Sequence, residues 1–116
     1  MNQTSEFKAN RDDKFIVLDR LISRFKEEKI YNKYKEQLEY LAIRHLILVY
    51  TTEILGFGKD IYVPRCNRVL AYLDRLNKKW YKNKYISESP KKSIIYIKIF
   101  RTKMYYICKL LLKLKH

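Results

Sequence analysis

Apolar residues recur along this chain at spacings of three and four, the repeat of an α-helix that buries one side. The densest such stretch is YKEQLEYLAIRHLILVY, Tyr34 to Tyr50. Leu38, Leu41, Ala42, His45, Leu48 and Val49 form one stripe, and Ile43, Leu46, Ile47 and Tyr50 form a second beside it. A surface helix needs a single apolar face, so a helix apolar over most of its circumference is enclosed by neighbours. The stretch is therefore expected to be the central helix of a bundle. Its longest uncharged run, His45 to Thr52, falls far short of the roughly 20 residues that span a bilayer.

The same pattern places helices on either side. A first helix is expected from about Asp12, capped by Asn10 or Asp12, with Phe15, Leu18, Leu21, Ile22 and Phe25 as its buried stripe. Whether it breaks at Lys26 to Lys29 or runs on into the central helix stays open, because neither glycine nor proline separates them. Gly56 and Gly58 end the central helix near Leu55, since glycine reverses a chain at a helix end without steric cost. Pro64 is expected in the first turn of a third helix that buries Cys66, Val69, Leu70, Leu73, Leu76 and Trp80.

Ser89 and Pro90 then open a last helix. On its wheel Tyr96, Ile99, Phe100, Met104, Ile107, Leu110, Leu111 and Leu114 share a broad face, while Lys98, Arg101, Lys109, Lys113 and Lys115 gather opposite and Lys103 strays to the apolar side. A basic amphipathic helix of this kind lies in a membrane interface. The expected architecture is all-α: a linker over 1–11, a bundle of three to four helices over 12–88, and a basic amphipathic C-terminal helix over 89–116.

Composition supports the helical reading. Hydrophobic residues make up 47% and charged residues 33%, which is a globular balance, and two glycines with two prolines leave no turn clusters for a sheet. Charge changes the picture more. Residues 1–58 carry ten Lys/Arg against nine Asp/Glu, whereas residues 59–116 carry sixteen against three, so the second half holds +13 of the net +14. That half seeks anions: an anionic membrane surface, nucleic acid or phosphate groups. Cys66 and Cys108 show neither CxxC nor metal spacing, which fits a reducing compartment, and no secretory signal is read at the start.

Candidate chemistry is sparse. GFGK lacks the strand and longer glycine frame of a phosphate loop, and no DxD, HExxH or nucleotide-binding glycine motif occurs. Glu27 with Glu28, and Glu36 with Glu39, sit amid lysines at helical spacing and read as solvated faces. His45 has no nucleophile or carboxylate at useful spacing. No catalytic, cofactor-binding or metal-ligating residue is expected, and no cofactor.

Several stretches together resemble a known family. YKEQLEYLAIRHLIL, preceded by VLDRLISRFKEEKIYNKY and followed by LDRLNKKWYKNKYI and a Lys/Leu/Tyr-rich tail, is similar to the C-terminal helical region of bacterial family-2 glycosyltransferases that build surface polysaccharides. The opening MNQTSEF is similar to the linker behind their catalytic domain. The nucleotide-sugar domain with its DxD and catalytic base has no counterpart here, so the resemblance implies an accessory, membrane-docking part that transfers no sugar by itself. It implies two partners, a catalytic glycosyltransferase domain and an anionic membrane. The location implied is cytoplasmic, peripheral at the inner membrane surface. The residues expected at the membrane are Lys91, Lys92, Lys98, Arg101, Lys103, Lys109, Lys113 and Lys115, and those facing the missing domain are Arg44, His45 and Trp80. The alternative is a small basic helical protein that binds nucleic acid.

Overall fold

Helix α1 (Asp13–Glu27) stops where the pattern left the question open, and a lysine stops it. Lys29 adopts φ 61°, its N–H donates to Lys26 O and the N–H of Ile30 donates to Phe25 O, the pair of bonds that closes a helix on a left-handed residue. Across this turn Phe25 packs edge-on against Tyr34. A computed structural model describes residues 12–114, which are all-α; the expected linker over 1–11, the Asn10 cap and Lys115 lie outside them.

The second helix, α2, is the central one. It runs as regular α-helix over Tyr31–Ile43, widens into π-helix over Arg44–Tyr50 and closes as α-helix over Thr51–Ile54. In the wide segment N–H groups reach five residues back, as Thr51 N–H does to Leu46 O. This changes which stripe is buried. Ile43, Leu46, Ile47 and Tyr50 are sealed, but His45 and Val49, expected on the buried stripe, turn to the surface, because a residue is absorbed in each widened turn. Thr51 bonds back to Ile47 O and Thr52 to Val49 O at 2.6 Å, serving carbonyls that the wide turn loosens.

Helix α3 (Lys59–Leu76) follows the Gly56–Phe57–Gly58 turn. Neither glycine takes a positive φ, and Gly58 is the extended N-cap residue. The helix therefore begins before Pro64, which sits inside it rather than in its first turn. Its buried side, Tyr62, Cys66, Val69, Leu70 and Leu73, follows the expected spacing. Past the extended Asn77, a 3-10 turn (Trp80–Lys82) and the single-turn α4 (Lys84–Ser87) lead to the C-terminal pair.

That pair corrects the expected single tail helix. Helix α5 (Lys91–Arg101) ends at Lys103, φ 66°, and α6 (Tyr105–Leu114) turns back upon it. The fold thus has six helices where three to four were expected. One core joins them: Phe15 of α1, Ile43 to Tyr50 of α2, Cys66 and Leu73 of α3, Trp80, Phe100 of α5 and Cys108 of α6. Each such large side chain contributes roughly 1.5–3 kcal/mol on burial. Polar pins set the angles between helices. Tyr50 donates to Asp12, which Arg65 also holds at 3.3 Å, so Asp12 ties α2 and α3 together rather than capping α1. Tyr72 donates to Asp19 at 2.8 Å, and Tyr96 meets Thr51 at 2.9 Å, docking α5 on α2.

Candidate docking surface

The reversal at Lys103 decides what the last two helices present. On one unbroken helix all the leucines would share a side with Tyr96 and Phe100; folded back as α6, the helix buries Tyr105 and Cys108 and leaves Tyr106, Leu110 and Leu114 outside. These three are 56%, 54% and 80% exposed and stand four residues apart, so they form one apolar stripe about 12 Å long. Met104 at the turn and Ile95 on α5 are exposed as well.

Basic residues border the stripe unevenly. Lys91, Lys92, Lys98, Lys103 and Lys113 are exposed, as the membrane reading requires. Arg101 lies over the ring of Tyr81 at 3.4 Å and remains exposed. Lys109 is drawn inward: its ammonium donates to Phe57 O at 3.4 Å and lies 5.4 Å from the ring centre of Tyr62, so it clamps α6 to the start of α3. Between α2, α5 and α6 runs a cleft of about 340 Å³, lined by Leu48, Ile95, Leu111, Leu112 and Leu114, with the hydroxyls of Thr52 and Ser93 and the ammonium of Lys92 as its polar groups.

The anchoring of this end is apolar and tight. Tyr105 donates to Asn67 Oδ1 at 2.6 Å, Cys108 Sγ lies 3.9 Å from Tyr96 O, and Phe100 packs against both Tyr96 and Tyr105. Burial pushes the Cys108 thiol up to about 12, and burial with the neighbouring Cys108 does the same to Cys66. Burial also raises the Tyr96 and Tyr105 phenols well above the usual tyrosine range. These groups stay protonated and hold the hairpin by packing; neither thiol has thiolate character.

The residues expected to face a partner divide. Arg44 and His45 are exposed, His45 in a shallow cleft with Val17, Leu21 and Leu41, and Arg44 in another with Val49 and Tyr85. Trp80 does not face out. It is 1% exposed and its indole N–H donates to Asp74 Oδ1 at 2.9 Å, because the chain leaves α3 at Asn77 and folds the ring back under the bundle. Glu39, read as a solvated residue, is buried instead, accepting from Asn77 at 3.0 Å and Asn83 at 3.1 Å.

Sequence reasoning missed the outward leucine stripe and the cleft beside it, since both follow from a reversal that no glycine or proline announces. A weak signal was present: Thr102, whose side chain bonds to Ile99 O at 2.6 Å, interrupts the apolar repeat beside two polar neighbours. Among the described residues no group of three or more His, Cys, Asp or Glu is placed to hold a metal, and no helix is long and apolar enough to cross a membrane. Compared with known protein families, curated proteins and solved structures, the chain matches none.

Proposed function

We propose that this chain is a non-catalytic helical module that settles on an anionic membrane surface through α6 and the exposed edge of α5. The observation that carries the reading is the outward stripe Tyr106, Leu110 and Leu114, bordered by exposed lysines in a segment without an acid from Lys91 to His116. An apolar stripe supplies insertion and cations supply attraction, each Lys or Arg near an anionic leaflet contributing about 1 kcal/mol. With the charge Lys109 spends on the bundle set aside, the remaining exposed cations suffice for reversible attachment at the cytoplasmic face, where acidic lipids collect.

The module's place in a larger assembly rests on the resemblance to the C-terminal helices of family-2 glycosyltransferases of surface polysaccharide synthesis. The exposed Arg44 and His45, beside exposed Val17 and Val49, fit an edge that a catalytic domain covers. Flotation with anionic and neutral vesicles tests the docking: co-flotation with anionic vesicles only is expected. Equal binding to neutral vesicles, none to either, or a steeply salt-dependent shift of duplex DNA with no lipid binding would overturn it in favour of a different partner.

A further inference from the structure

At the opposite end of α2 lies a second basic region of another character. The first turns of α2 face the segment after α3 across a cleft of about 580 Å³, into which Lys33, Lys35, Lys79, Lys82 and Lys84 project from both walls against two carboxylates, Glu36 and Glu39. Both carboxylates are engaged: Glu36 pairs with Lys84 at 3.7 Å, and Glu39 takes the amides of Asn77 and Asn83. Among the described residues no carboxylate lies within ion-pair distance of Lys35, Lys79 or Lys82.

The floor of this cleft is built rather than incidental. The Asn83 amide donates to Glu39 and to Glu36 O at 3.0 Å while its carbonyl accepts from Tyr85 N–H at 2.9 Å; the Asn77 carbonyl accepts from Lys79 N–H at 3.0 Å. Buried amides thus fix the backbone that carries Lys79, Lys82 and Lys84 against α2. The first turn of α2 has no acid, so its positive dipole end adds to the field there.

We propose that this cleft binds a small soluble anion carrying two or more adjacent phosphate groups. Lysines on facing walls are too many for one phosphate and are matched by a compact anion that reaches both walls. No aromatic side chain lines the cleft, so it offers no stacking platform for a nucleobase, and recognition rests on the phosphates alone. Its size is that of a small-molecule site rather than a groove that tracks a polymer. Glu36 and Leu48 stand about 18 Å apart along α2, so this anion and a membrane would be held at once.

Calorimetry of the full chain with pyrophosphate, against sulfate at matched ionic strength, tests the proposal. A single class of site is expected, weakened roughly tenfold or more in K35Q/K82Q, the loss of about 1.4 kcal/mol or more that removing charge-assisted contacts brings. The control pair K98Q/K113Q should retain wild-type affinity. Absence of saturable binding, equal loss in both pairs, or single-stranded RNA displacing pyrophosphate with equal dependence on both pairs would overturn it. So would binding confined to vesicles bearing a bisphosphorylated headgroup and lost in K35Q/K82Q, which would assign the cleft to lipid. Should K35Q/K82Q fail to fold, hydrogen exchange of the wild-type chain decides: pyrophosphate should protect amides of 32–37 and 77–84, and protection elsewhere refutes the site.

Discussion

Both ends of α2 are rich in lysine, yet what surrounds the lysines differs. At the C-terminal end, cations flank leucines and an apolar cleft with no acid in the segment; at the N-terminal end, they flank a floor of buried amides and engaged carboxylates. Charge alone therefore does not name a partner. A cation beside exposed leucine suits a lipid interface, and a cation above a fixed polar floor suits a compact anion.

The largest effect should come from breaking the apolar end alone. L110E/L114E places two carboxylates in the outward stripe, and flotation with anionic vesicles should drop to the level of the neutral control while pyrophosphate binding stays unchanged. Both side chains are more than half exposed, so the melting temperature should hardly move. Loss of both binding activities together would show that the two ends are not independent.

Next in size, Glu39→Ala strikes the polar end. It strips the acceptor from two amides, one of them on buried Asn83, and should cost about 2–4 kcal/mol in a denaturant titration. Vesicle binding of the folded fraction should persist.

Alkaline pH sharpens the comparison from the hairpin side. Cys66 and Cys108 ionise near 9 when unfolded and near 12 when folded, so their contribution is fully present below pH 9 and lost as pH rises from there toward 12. Each should cost about 1.4 kcal/mol at pH 10, and the raised phenols of Tyr96 and Tyr105 act in the same sense above pH 10. Thermal melts from pH 7 to 11 should be flat and then fall, and C66A/C108A should fall less steeply.

The smallest effect is a gain. Lys29 and Lys103 hold left-handed backbone that a β-carbon disfavours, so Lys29→Gly and Lys103→Gly should each stabilise by up to about 1 kcal/mol. Lys103→Gly should weaken vesicle binding slightly by removing a cation; Lys29→Gly should leave it alone.

Those two lysines also explain how far the sequence could be read. The helical class, the stripe Phe15, Leu18 and Ile22, and the stripe Cys66, Val69, Leu70 and Leu73 were legible because each follows one unbroken period. The turn at Lys103 was not, because its left-handed residue is not glycine, and the tail wheel drawn across it mixed two faces. Trp80 continued the spacing of α3 on paper but lies beyond the extended Asn77. The lysine cleft escaped for another reason: Asn83 meets Glu36 across 47 positions, and no local spacing records such a meeting.

The π segment between the two ends acts as a phase setting. Deleting one residue from Arg44–Tyr50 would let the α-helical hydrogen bonds close and would rotate everything after it by about 100° against everything before. With α6 resting on a bilayer, that angle fixes whether the lysine cleft opens along the membrane plane or away from it. A single wide stretch of backbone, remote from either surface, is thus the compass by which the two surfaces are aimed.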